Sequence, residues 1–221
     1  MFGDPHAHVD LYCERTGPEF WSEPINALTN LAFVAAGLWG VWMARKQRAD
    51  GFVLLLCWWV VAIGIGSFLF HTFANQLTIW ADILPIAGFT LAYTLFNLRR
   101  FLGYSWPRSL VIFFSFYIAV GALTLMVPDW LRVASNGSTG YLPPFLALIF
   151  FGILVIRAGN PIGWFNIAAA GIFVLSVTFR AIDPLVCGAM PLGTHFLWHS
   201  FNGLMLGVVL AAVLRFAHRR T

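Results

Sequence analysis

The stretch F-V-L-L-L-C-W-W-V-V-A-I-G-I-G-S-F-L-F, residues 52–70, carries no charged side chain and a single hydroxyl group, that of Ser67. An α-helix crosses the hydrocarbon core of a bilayer, about 30 Å thick, with about 20 predominantly apolar residues. Residues 52–70 meet this requirement, so the sequence predicts that they form a transmembrane helix.

Six further stretches have the same apolar character. They run approximately over residues 26–44, 79–98, 109–127, 142–156, 163–182 and 195–216. In the whole chain 60% of the residues are hydrophobic and 10% are charged, whereas about 25% of the residues of a soluble domain are charged. We therefore predict an all-α fold, a seven-transmembrane helix bundle. It forms a single domain over residues 1–221, with residues 1–25 as an outer N-terminal segment.

Basic side chains lie on one side of this predicted bundle. With seven spans, every Lys and Arg except Arg15, Arg132 and Arg180 follows the first, third, fifth or seventh span. Every Asp and Glu except Asp50 maps toward the opposite half. Because short cytoplasmic loops carry an excess of Lys and Arg, this distribution predicts an outer N-terminus and a cytoplasmic C-terminus. The sequence shows no basic patch of the kind that binds nucleic acid on a soluble surface, so we do not expect nucleic-acid binding.

Several polar or ionisable side chains lie at membrane depth, near the outer ends of the second, third, sixth and seventh spans. Such groups are costly in a bilayer and are usually functional. Accidental polar residues would scatter over both leaflets, so their convergence on one leaflet indicates a functional site. The residues are Ser67, His71, Asp82, Arg180, Asp183, His195 and His199.

Three histidines of this group can form a metal site. His195 and His199, in H-F-L-W-H, are one helical turn apart and share a helix face. His71, at the end of the second span, supplies a third ligand if the second and seventh helices are neighbours. Three neutral imidazoles on tetrahedral zinc leave a fourth position open for water, as in catalytic sites. The alternative is that the three histidines are interfacial polar groups at helix ends.

Ser67 precedes His71 by four residues and points the same way. A helical serine also often bonds back to its own helix, and Gly64 and Gly66 are typical of close helix packing. Asp82 needs a partner. It can assist water at the metal, bond to a metal-bound histidine, or pair with Arg180.

Two further pairs near the outer side leave alternatives open. Arg180 and Asp183 have the spacing of a local salt bridge. Cys13 and Cys187 both map to the outer, oxidising compartment and can form a disulfide, although the sequence does not give the distance between them. Cys57 lies inside the second span and is interpreted as a small core residue.

The N-terminal segment contains a cluster of carboxylates, namely Asp10, Glu14, Glu19 and Glu23. Clustered carboxylates suit a hard cation such as calcium. The alternative is a solvated acidic tail whose charges favour the N-terminus of the first helix.

Taken together, these motifs resemble the alkaline ceramidase family, within a wider group of seven-span hydrolases that includes the adiponectin and progestin receptors. The resemblance covers nearly the whole chain. It rests on Y-C-E (12–14), E-P-I-N-A-L-T-N (23–30), G-S-F-L-F-H (66–71), Asp82, F-R-A-I-D-P-L-V-C (179–187) and H-F-L-W-H (195–199).

The resemblance implies a set of site residues. It implies that His71, His195 and His199 bind zinc, with Ser67 and Asp82 beside the metal, and that Cys13 and Cys187 form a disulfide.

The resemblance also implies a calcium site, built from an Asp-aromatic-Cys-Glu-x-Asn run and a later Glu. Glu14 and Glu23 match that pattern. Leu11 displaces Asp10 by one position, and Thr16 stands where the family has Asn.

The expected function is zinc-dependent hydrolysis of the amide bond of ceramide or a related lipid amide, which releases a fatty acid and a sphingoid base. Asp82 would act as general base and Ser67 would stabilise the oxyanion. A receptor with a zinc site and a transporter are the alternatives. The cytoplasmic loops are too short for a signalling domain, and the inner halves of the spans carry almost no ionisable residue. We expect a bacterial inner-membrane protein whose site faces the outer, periplasmic leaflet.

Overall fold

Seven helices in the computed structural model, which describes residues 4–217, are long and apolar enough to cross a membrane. They confirm the predicted all-α, seven-span class. Their bounds are Pro24–Lys46, Gly51–Phe73, Gln76–Phe101, Trp106–Leu125, Ser138–Arg157, Ile162–Val186 and His195–Phe216.

Three of the seven spans are composite, among them the fifth, which begins with a 3-10 turn, and a short helix connects the fourth and fifth. The first span consists of α1 (Pro24–Thr29) and α2 (Leu31–Lys46), which meet at Asn30. The third consists of α4 (Gln76–Phe96) and a π-helical turn at Asn97–Phe101. The other elements are α3 (Gly51–Phe73), α5 (Trp106–Leu125), α6 (Asp129–Ala134), a 3-10 turn (Ser138–Tyr141), α7 (Leu142–Arg157), α8 (Ile162–Val186) and α9 (His195–Phe216).

Helix α3, which carries His71, continues beyond its predicted end. The apolar run predicts that the second span ends at residue 70, but α3 continues to Phe73 and therefore includes His71. Ala74 then adopts a left-handed conformation (φ 41°) and its N–H bonds to the carbonyl of Phe70, which closes the helix. Asn75 and Thr78 form a capping box that starts α4.

Helix α2 lies between α3 and α9, and small residues allow the close approach. A Cβ atom on Gly37 would lie 2.9 Å from the carbonyl oxygen of Cys57 on α3. One on Gly203 of α9 would lie 2.6 Å from Cβ of Ala32 on α2. Helix α8 packs on α9, and α4 packs on α3. The C-terminal end of α3 and the N-terminal end of α9 therefore meet at one end of the bundle, which we call the histidine end.

The N-terminal segment packs across the histidine end. Val9 donates its N–H to the carbonyl of Ala74 (2.8 Å), and Leu77 donates to the carbonyl of Pro5 (3.0 Å). Backbone hydrogen bonds therefore attach this segment to the α3–α4 connection, so it is not a free tail.

Gly66 brings α3 unusually close to α4. A Cβ atom at this position would lie 2.0 Å from the carbonyl oxygen of Ala81, closer than any real side chain permits. The next residues on the two helices are Ser67 and Asp82, so the contact that glycine allows also sets the separation of these two side chains.

We predict that Gly66→Ala separates α3 from α4 and lowers the thermal stability of the detergent-purified protein. The expected cost of such overpacking is about 1–3 kcal/mol. The matched control is Gly171→Ala in α8, where a Cβ meets nothing within 4 Å and alanine is expected to be neutral or stabilising. Equal melting temperatures for the two variants would contradict the tight α3–α4 contact.

Candidate metal centre

His71, His195 and His199 meet at the histidine end. One ligand nitrogen from each lies within 4.8 Å of the other two, and each residue is only 1% exposed. The ring centroids of His71 and His199 are 4.6 Å apart, as are those of His195 and His199. This confirms the predicted convergence of α3 and α9, and the three histidines form a group that could hold a metal ion.

The hydrogen bonds of two rings indicate which nitrogen faces the centre. His71 Nδ1 lies 2.6 Å from Glu23 Oε2, so the proton on Nδ1 is donated to the carboxylate. His199 Nδ1 lies 3.0 Å from Thr29 Oγ1. The Thr29 hydroxyl donates its own proton to the carbonyls of Ile25 and Asn26, so it accepts from His199. Both rings therefore keep the lone pair on Nε2.

The ring nitrogens that have no hydrogen-bond partner fit a metal ion. Nε2 of His199 and Nδ1 of His195 are buried without a hydrogen-bond partner, which is costly unless another group satisfies them. Nitrogen donors suit zinc and other transition metals. Metal-bound histidines also commonly donate their second ring N–H to a carboxylate or another acceptor, as His71 and His199 do here.

Glu23 holds His71 from the N-terminal side. Its side chain is 2% exposed and accepts hydrogen bonds from His71, from Asn26 Nδ2 (3.0 Å) and from Arg15 Nε. Burial acts to raise the pKa of this carboxyl, but the hydrogen bonds and charges of His71 and Arg15 outweigh it, so its pKa lies below the ordinary value. Glu23 is therefore ionised when it accepts the proton of His71.

Asp183 holds the start of α9. Its buried carboxylate accepts the backbone N–H groups of Cys13 (3.0 Å), Thr194 (2.6 Å) and His195 (2.9 Å). A carboxylate at this position satisfies the unpaired N–H groups of a helix start. The considered ion pair with Arg180 is wrong, because Arg180 instead donates to the carbonyl of Asn136 and to Ser138 Oγ.

Cys13 and Cys187 form a disulfide with Cα atoms 5.1 Å apart, which confirms the implied pairing. The bond joins the N-terminal segment to the end of α8. It brings the neighbouring Tyr12 onto His195, with ring centroids 3.5 Å apart and an interplanar angle of 16°. Cys57 is a free, buried thiol in α3, in agreement with its interpretation as a core residue.

Ser67 and Asp82 lie side by side at the edge of the centre. Ser67 is buried and Asp82 is half-buried. The Ser67 hydroxyl lies next to the Asp82 carboxylate, and His71 and Arg180 are further polar neighbours of that carboxylate. Within residues 4–217 Asp82 makes no ion pair with Arg180 closer than 4.0 Å, so the structural pair considered for these two residues is not formed.

The residues predicted to bind calcium are either exposed or engaged by other donors in the structure. Asp10 is exposed, and Glu14 accepts the N–H groups of Ile25 and Asn26, both at 2.7 Å. Glu23 is engaged by Arg15, His71 and Asn26. Among the described residues, the three histidines are the group whose ligand atoms converge. Asp10, Glu14 and Glu23 therefore do not fit a common calcium site, and Glu14 instead caps the first helix.

Sequence reasoning missed the roles of Arg15, Thr29 and Asp183 in supporting the histidines. Thr29 and Glu23 both lie in the E-P-I-N-A-L-T-N motif, whose polar residues at a helix start are a recognisable signal. Nothing in the sequence connects that motif with His71, which follows Glu23 by 48 positions.

Comparison with known proteins finds one family. A family model described as Ceramidase matches residues 4–220, nearly the whole chain. No curated protein matches the chain at a significant level.

We predict that His199→Ala abolishes metal binding, since it removes one of three nitrogen ligands from a buried centre. Metal content after purification, measured by emission spectrometry, tests this. The control is His6→Ala, because His6 is exposed and lies outside the group. Retention of the metal by His199→Ala would contradict the assignment of this ligand.

We predict that Asp183→Ala leaves three backbone N–H groups without an acceptor and lowers the melting temperature, by an amount on the order of 5–10 °C. The matched control is Asp129→Ala, whose side chain is 99% exposed. An unchanged melting temperature for Asp183→Ala would show that these N–H groups find other partners.

Proposed function

The chain belongs to the ceramidase family, and from this membership we propose that it is a zinc-dependent hydrolase acting on the amide bond of ceramide or a related lipid amide. The products are a fatty acid and a sphingoid base. The observation that carries the proposal is the group of three buried imidazoles. In this group, Nδ1 of His195 and Nε2 of His199 have no hydrogen-bond partner.

His71, His195 and His199 would hold the zinc ion. Three neutral imidazoles leave one coordination position for a reactant, as in catalytic zinc sites. When bound, zinc would polarise the amide carbonyl and make water a stronger nucleophile at neutral pH. The hydrogen bonds to Glu23 and Thr29 keep the rings of His71 and His199 in the orientation that binding requires.

Asp82 is proposed as the general base. Its carboxylate lies beside His71 and next to the Ser67 hydroxyl. Water attacks the amide carbon while Asp82 takes its proton. Asp82 then delivers that proton to the nitrogen as the carbon–nitrogen bond breaks. Ser67 is proposed to donate to the carbonyl oxygen as negative charge develops there.

Two adjoining apolar cavities support a lipid substrate. The first lies inside the bundle, and Trp198, beside His199, is part of its lining. The second opens between α4 and α7, has a volume of about 420 Å³ and reaches Arg180. Ile86, Thr90 and Pro144 line both. A hydrocarbon chain can therefore enter from the lipid side and extend along the core with its amide at the histidine end.

The distribution of charge supports an orientation for this site. Basic residues end α2 and α7 at the end of the bundle opposite the histidines, namely Arg45, Lys46 and Arg157. By the excess of basic residues in cytoplasmic loops, we propose that the histidine end faces the outside, which in a bacterial inner membrane is the periplasm.

We predict that the purified protein releases fatty acid and sphingoid base from ceramide in micelles, and that removal of zinc with 1,10-phenanthroline stops the release. Asp82→Asn should lower kcat by about 10²–10⁴-fold and retain its zinc. Mass spectrometry of the products and metal analysis measure the two effects.

The matched control is Asp50→Asn, because Asp50 caps the opposite end of α3 and should leave kcat unchanged. Full activity after removal of the metal would contradict the zinc mechanism. A stable zinc site with no turnover of any lipid amide would favour a receptor instead.

A further inference from the structure

Arg15 is a buried cation beside the metal centre. Its side chain has no exposed surface, although it belongs to a segment outside the spans. Burial of a guanidinium is costly unless a counter-charge and hydrogen-bond acceptors surround it. Here the counter-charge is Glu23, which accepts from Nε.

Oxygen atoms surround the guanidinium on its other edges. Nη1 donates to the carbonyl of Gly17 (2.9 Å) and Nη2 donates to the carbonyl of His71 (2.9 Å). A carboxylate and two backbone carbonyls are the ligand types that a hard cation such as calcium takes. In this chain the same kind of oxygen cradle contains a side-chain cation.

Arg15 contacts His71 directly and also through Glu23. It bonds to the backbone carbonyl of His71, and it also bonds to the carboxylate that accepts the ring proton of His71. The planar fork of a guanidinium can hold both groups in one geometry, which a lysine ammonium does not reproduce.

We propose that Arg15 is the resident cation of this cradle. It stands in for the calcium ion that the family resemblance implies, and it positions His71 for metal binding without any added ion. Calcium would have to displace the guanidinium from Glu23. The other predicted ligands would not help it, because both Glu14 oxygens accept backbone N–H groups and Asp10 is exposed.

The first test asks whether calcium acts on the protein. Thermal unfolding of the full chain in detergent is compared between calcium-free buffer and about 10 mM calcium, which exceeds the dissociation constants of weak extracellular sites. The expected result is the same melting temperature in both buffers. A higher melting temperature with calcium would overturn the proposal.

The second test asks whether Arg15 positions His71, and this part rests on the proposed zinc site. Zinc transfer from the loaded protein to a fluorescent chelator is followed without substrate. Arg15→Ala should lose zinc about 10–100-fold faster than the parent chain, because removing the support of a ligand usually lowers metal affinity by that factor. Arg15→Lys, which keeps the charge but not the fork, should be intermediate.

The matched control is Arg132→Ala. Arg132 also donates to backbone carbonyls, those of Val127 and Thr124, but it has no link to the histidines and should release zinc at the parental rate. Parental rates for the Arg15 variants would overturn the positioning role. If Arg15→Ala does not fold, the rate of zinc loss from Arg15→Lys decides whether Arg15 positions His71. A parent chain that binds no zinc would refute the proposed function, and the calcium comparison would still test the resident cation.

Discussion

The hydrogen bond between Glu23 and His71, with 2.6 Å between Oε2 and Nδ1, joins the N-terminal segment to the group of three histidines. In a bundle surrounded by lipid, a buried carboxylate and a buried imidazole must satisfy each other. Asp183 has the corresponding role for α9, where it accepts the N–H of His195. Each helix that supplies a ligand is therefore held by one buried carboxylate from another part of the chain. The disulfide between Cys13 and Cys187 attaches the segment to the end of α8.

The fold could be predicted because it depends on a property that is local in sequence. Apolar stretches of sufficient length identify the seven spans without any knowledge of their neighbours. The residue at which a span ends depends more on contacts with distant parts of the chain. Helix α3 continues past its apolar run to Phe73, because the N-terminal segment provides polar partners for the residues there, among them Glu23 for His71.

The candidate site could be predicted only in part, for the same reason. The spacing of His195 and His199 is local, and their common leaflet with His71 follows from the topology. The roles of Arg15 and Glu23 depend on contacts between residues far apart in sequence. A carboxylate in an outer segment is most simply interpreted as solvated or as a ligand of a cation. Only the folded chain shows that its cation is an arginine from eight residues earlier.

The location of the centre meets two opposing requirements of lipid amide hydrolysis. Water must reach the amide carbon, and a bilayer excludes water, so the centre belongs at a polar end of the bundle. The hydrocarbon chains must remain in an apolar environment, and the cavities next to Trp198 and between α4 and α7 provide one. Gly66 lets α3 approach Ala81 so closely that Ser67 and Asp82 lie next to each other. A glycine that serves helix packing thus also determines where the proposed base can act.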